Sequence, residues 1–263
     1  PTQRAAYLAD VDEESYQGHE LVPPFFNGLV YAQIAIYLLV LLLWQGRIGG
    51  RATRLRSLRL VRDVAVFAAA VPVATFLANL VPWWRASHPL PAVMATVGVI
   101  AAAIAGVGLV GPWRKSLFGP VAVVLVTTVG VLAADVVTGS RLQLFSLMGL
   151  QPVAGGRYYG MGNVTFSLFA TSTLLVATIA ANRFVLRGRT RLAALAVGFI
   201  GGAAIVVDGA PFWGADGGGA PALLPAVVYL VLAILGVRLT WRRVLLIGAA
   251  TARFGSAAAG RLQ

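Results

Sequence analysis

Apolar runs separated by short polar stretches set the rhythm of the chain from residue 26 onward. A helix that crosses a bilayer needs roughly 20 apolar residues. Runs of that order fall at 26–44, 64–82, 92–110, 121–138, 164–182, 192–207 and 223–239, and the run at 192–207 is short by that measure. An eighth begins near Val244 and stops before Arg253. The pattern predicts an all-α polytopic transmembrane helix bundle of seven spans plus a partial eighth, occupying 26–252. The last residues, 253–263, read as a truncated or disordered tail. The start at Pro1 and the close on "ATARFGSAAAGRLQ" predict a piece of a longer protein.

The leading segment breaks the rhythm. Asp10, Asp12, Glu13, Glu14 and Glu20 make residues 1–25 acidic, and Pro23-Pro24 predicts a closure before the first span. It reads as an extracytoplasmic stub or a surface helix.

Composition agrees with the pattern. The chain is 59% hydrophobic and 11% charged, with a mean hydropathy of +0.82, whereas soluble domains carry about 25% charged residues. There is no cysteine, which excludes disulfides, thiolate metal sites and cysteine nucleophiles. His19 and His88 lie far apart in the chain, so no metal site is expected, and no cofactor is indicated.

The net charge of +12 would suit nucleic acid, but its placement does not. Fifteen basic residues fall in four loops on one side: "QGRIGGRATRLRSLRLVRD", "GPWRKSLFGP", "NRFVLRGRTR" and "RLTWRR". The opposite loops hold Arg85, Arg141 and Arg157. Positive charge in short loops marks the cytoplasmic side. The expectation is a multi-pass protein of the cell membrane with its N-terminal segment extracytoplasmic. The loops at 83–91, 139–163 and 208–222 would share that outer side. A nucleic-acid groove would interleave basic and stacking aromatic residues; these loops do not, so the partner is the lipid bilayer.

Chemistry has few places to reside. Of nine acidic residues, five lie in the leading segment and Asp63 ends the first basic loop; Asp135, Asp208 and Asp216 remain. Ionisable groups at span ends are costly and tend to face a protein interior or a water-filled cavity. Solvation at the interface, or pairing with Arg141 and Arg157, is the plainer account of them.

Two glycine-rich loops add to this. "GGRYYGMGN" (155–163) precedes the fifth span, with Asn163 fitting its N-cap. "DGAPFWGADGGG" (208–219) precedes the seventh, with Pro221 fitting the first helical position. Each delivers a helix N-terminus, whose unpaired N–H groups and dipole favour an anion. Arg157 could add a bidentate contact to phosphate or carboxylate. The aromatic–aromatic–Gly patterns, Tyr158-Tyr159-Gly160 and Phe212-Trp213-Gly214, hint at a repeated unit and predict that the two loops converge. Interfacial aromatics are ordinary, and "PWWRASHP" (82–89) has them without the glycines. No Walker A motif, HExxH or nucleophile elbow is present. "GVGLVG" (106–111) follows no strand and suits helix packing.

"GRYYGMGN" followed by "GAPFWGADGGG" resembles an uncharacterised family of multi-pass bacterial membrane proteins of actinobacterial type, over residues 130 to 240. Some members look like fusions to an extracytoplasmic alkaline-phosphatase-like region. The resemblance implies that such a fused or associated domain would join at the acidic segment. It brings no phosphatase motif into this chain.

Three functions fit these observations. The first is binding of an anionic or lipid-linked ligand at an outer-face polar site, for transport or envelope-precursor handling. Arg157, Tyr158, Tyr159, Asn163, Trp213, Asp135 and Arg141 would bind, and Asp208 and Asp216 would serve as proton or cation partners. The second is an outer-face glycosyl- or phospho-group transferase with Asp208 or Asp216 as general base. The third is a non-catalytic membrane anchor for a fused extracytoplasmic domain.

Overall fold

The computed structural model describes residues 2–45, 51–154, 159–237, 240 and 248. Among them the chain forms eight α-helices joined by turns and short 3-10 segments, with no strand. The α-helices are α1 (Thr2–Trp44), α2 (Arg51–Leu77), α3 (Pro89–Val110), α4 (Gly119–Val137), α5 (Arg141–Phe145), α6 (Asn163–Val185), α7 (Thr190–Gly209) and α8 (Gly219–Ile234). Six of these, α1 to α4 with α6 and α7, are long and apolar enough to cross a membrane. The protein is an all-α polytopic helix protein of the integral membrane class.

Each of the seven expected runs coincides with a helix, the last over 223–234 only, but their lengths differ from expectation. The run at 192–207 gains residues at both ends and becomes the 20-residue α7. The short helix is α8, with 16 residues. The eighth span falls outside the described residues except Gly248, and the tail at 253–263 lies wholly outside them.

The leading segment corrects another expectation. Pro23 and Pro24 do not close it, because both lie inside a continuous 43-residue α1. Each proline removes the bond its N–H would make to the carbonyl four residues back. Those carbonyls belong to His19 and Glu20, which are exposed, so solvent can take them. At 1.5 Å per residue α1 is about 65 Å long, against a hydrocarbon core of about 30 Å. Its acidic half and its apolar half cannot both lie in one bilayer core.

The chain forms two compact units, one of residues 1–124 with 145–156, the other of 125–144 with 157–263. In the first, α2 packs on α3. The buried residues Val93, Val97, Ala101, Ala105 and Gly108 recur every three or four positions and make one stripe along α3. The acidic half of α1 is tied to the loop before α3. Arg85 donates to both Asp10 oxygens at 2.7 Å, and the Trp84 indole donates to Oδ1 at 3.1 Å. This pairing holds the exposed Arg85 guanidinium above its usual pKa. Ser146, fully buried, donates to Thr75 Oγ1 at 3.1 Å and accepts the Met148 N–H at 3.3 Å.

In the second unit α7 packs against both α6 and α8. Small residues let the backbones approach closely. Gly201 of α7 lies so near Val227 of α8 that a methyl group there would collide with both of its γ carbons. The α7 face is built from Ala193, Ala194, Val197, Gly201 and Ala204, and ends at buried Asp208.

Candidate functional site

The site of interest lies at one end of the second unit, where α6 begins, α7 ends and α8 begins. Its frame starts at the α4–α5 turn. Asp135 near the end of α4 accepts the Leu142 N–H at 2.8 Å and the Gln143 N–H at 3.0 Å, so its carboxylate caps α5. Its carbonyl accepts the Ser140 N–H at 2.7 Å. Ser140 is buried and takes a positive φ of 59°. Its hydroxyl accepts the Gly160 N–H at 3.1 Å, which ties this turn to the loop before α6.

That loop then meets the one after α7. The Met161 N–H donates to the Gly214 carbonyl at 2.8 Å. Gly160 has φ +81°, and a Cβ there would run into the same carbonyl. A residue with a side chain is excluded on both grounds. The expected convergence of the two glycine-rich loops is therefore present, through backbone contacts.

Beneath the contact the second loop folds back on the end of α7. Gly214 N–H donates to Val207 O at 3.0 Å, Ala215 N–H to Ala210 O at 3.0 Å, and Asp216 N–H to Asp208 O at 3.1 Å. The fold-back needs a left-handed residue, and Ala215 takes φ +47°. Its result is to bring Asp208 and Asp216 together. A Cβ placed on Gly219 would lie 2.5 Å from Asp216 Oδ2, 2.6 Å from Asp208 Oδ2 and 2.6 Å from Phe166 Cδ2. The two carboxylate oxygens are thus no farther apart than the sum of the first two distances. Asp208 is fully buried and Asp216 is 6% exposed. Asp216 also accepts the Gly218 N–H through Oδ1 at 3.1 Å.

The pair changes the picture of the helix ends. At the start of α8 the chain's own carboxylates already face the N-terminus, so an external anion there would meet like charge. At the start of α6 no side chain caps the helix. There the N-terminal N–H groups remain the natural place for an anion. The caps are each shifted from the sequence reading. Gly162, not Asn163, caps α6, and Asn163 is its exposed first residue. Gly218 caps α8, which places Pro221 at the third helical position. A glycine at an N-cap costs only a few tenths of a kcal/mol relative to the best caps, so the chain can start each helix earlier.

The other predicted residues scatter. Tyr159 is exposed, and Trp213 is half-buried with its ring edge-on to Phe212 at 5.3 Å. Asp135 is occupied with α5, and Arg141 is exposed. Arg157 and Tyr158 lie outside the described residues. Among the described residues no three His, Asp or Glu side chains gather as a metal site would require. Two residues at the site were not picked out from sequence, Ser140 and Phe166, while Gly219 was seen only as the last glycine of the loop at 208–219. Of the two, only Ser140 left a signal, a Gly-Ser pair between an aspartate and a helical run.

Comparison with protein-family models, with curated proteins and with solved structures returns no match for this chain.

Proposed function

We propose that this integral membrane protein binds an anionic, lipid-linked ligand at the α6–α7–α8 end of its second unit, and that the protein transports or otherwise handles such a ligand in the bacterial cell envelope. The observation that supports this is the convergence of Asp208 and Asp216 on Gly219, under the hydrogen bond that joins the two loops. In this reading the anionic group sits at the uncapped start of α6, with Tyr159 and Asn163 at its margin. Arg157 supplies the guanidinium and Tyr158 a further contact. The carboxylate pair carries a proton or a cation, whose charge complements that of the ligand. This reading places the site on the outer face, following the charge asymmetry of the loops.

The same pair supports a second reading as a transferase. Two carboxylates this close can divide acid and base roles between them, as in other paired-carboxylate sites.

A polyisoprenyl phosphate is the appropriate probe. Purified protein in lipid nanodiscs should retain it through native mass spectrometry, and Arg157→Ala should lose it. Asp208→Asn should keep the lipid but lose coupled uptake in a transporter, or turnover in an enzyme. Equal retention by the wild type and Arg157→Ala would refute the anion site and leave the anchor reading.

A further inference from the structure

Of the six helices long and apolar enough to span, α1 is the least engaged with the rest of the chain. Its most apolar stretch is 6% buried, against 28% or more in each of the other five. What cover it has falls on one side, marked at intervals of seven by half-buried Leu29 and Ile36 and by fully buried Leu43. Bare apolar surface costs little in a bilayer, because lipid tails are as apolar as leucine. Bare polar groups do cost, because lipid offers them no partner. The span at 26–44 carries two such groups deep in its open surface. Gln33 lies seven residues from one end of the run and Tyr37 seven from the other, so each is about 10 Å inside it. Tyrosines that anchor a helix sit instead at the level of the headgroups. Gln33 Nε2 donates to the Tyr37 hydroxyl at 3.2 Å. Among the described residues that is the one bond either side chain makes, so the Gln33 carbonyl, its second N–H and the Tyr37 O–H remain.

Gln33 and Tyr37 belong to a series. Phe26, Val30, Gln33, Tyr37 and Val40 are spaced 4, 3, 4 and 3, and all but Phe26 are exposed. This is the spacing of a seam along which two helices pack with a left-handed twist. We infer that a second copy of this chain covers the seam, so that two α1 helices cross the membrane side by side in a homodimer. Two features select a second copy over another helix. Copies of one chain share their direction in the membrane, so a two-fold axis along the membrane normal sets Gln33 opposite Gln33 at one depth. A carboxamide carries both donors and an acceptor, so the pair is self-complementary, each N–H donating to the other's carbonyl. A polar residue within such a seam also fixes the register of the two helices.

The absence of cysteine from the chain allows disulfide mapping in native membranes. Val30→Cys and Val40→Cys lie on the seam. Ala35→Cys and Leu39→Cys lie off it, at positions that are also exposed. Under an oxidation catalyst the two seam variants should give a band of twice the chain mass, severalfold stronger than the other two give. Equal yields at the four positions, a stronger yield at Ala35 or Leu39, or a seam band of any other mass overturns the inference. A second measurement needs no cross-link. Gln33→Leu keeps the bulk of the side chain at an exposed position and removes the carboxamide. It should weaken the dimer roughly threefold or more, read by single-molecule photobleaching as the protein is diluted into lipid vesicles. A dimer equally tight or tighter overturns the inference as well. Neither readout involves the carboxylate pair or the polyisoprenyl phosphate, so failure of the dimer and failure of the ligand site are separate results.

Discussion

Gly219 has no room for a side chain. A methyl group there would press on both carboxylates and on the Phe166 ring. Gly217, two residues earlier, has open space around its Cβ direction. Overpacking typically costs about 1–3 kcal/mol, so Gly219→Ala should lower the thermal unfolding midpoint while Gly217→Ala leaves it nearly unchanged. Unfolding followed by intrinsic fluorescence in detergent would decide this, and equal midpoints would show that the pair can separate freely. That Asp208 and Asp216 stand apart from the other residues of the spans was legible in the sequence, because charged residues at span ends are few and costly. Their contact was not. It depends on a fold-back through Ala215 in a left-handed conformation, which alanine sequence does not announce. The role of Ser140 was equally hidden, since its hydroxyl meets a backbone group from a distant part of the chain.

Among the elements, α1 departs most from what its sequence suggests. A proline pair normally ends a helix, and here it lies within one. The carbonyls it frees sit on exposed residues, but the helix still lacks two internal bonds. Pro24→Ala restores one of them and should stabilise α1, by up to about 3 kcal/mol on the scale of helix propensities. Slower amide exchange in residues 20–28 would report it; unchanged exchange would mean that the prolines cost the helix nothing. The spans themselves were readable because bilayer thickness fixes the length of an apolar run. Helix ends were less so. Glycine caps at Gly162 and Gly218 compete with the better-known polar caps, and α7 and α8 exchanged the long and short roles expected of them.

At the scale of the whole molecule, loop charge bears on direction in the membrane. Within the first unit the acidic segment and the loop at 83–85 share an end, joined by Asp10 and Arg85. Within the second, the turn at Ser140 and the loops at 159–163 and 208–219 share an end. Both groupings agree with the sides deduced from loop charge. The basic loops are expected in the cytoplasm. Impermeant thiol labelling in intact cells should therefore modify Ser87→Cys and spare Ser57→Cys. The reverse pattern would invert the topology and place the carboxylate pair inside.

The hydrogen bond from Met161 to Gly214 has a consequence for biosynthesis. It closes a stretch of chain that contains α6 and α7 entire. Its two ends can meet only after one helix has gone through the bilayer and the other has returned. Closing so long a loop is entropically costly until packing along the hairpin has compensated for it. The Met161–Gly214 contact therefore forms late in the maturation of the chain, once α6 and α7 lie side by side. Asp208 and Asp216 lie only eight residues apart in one loop, so their contact can form before that closure.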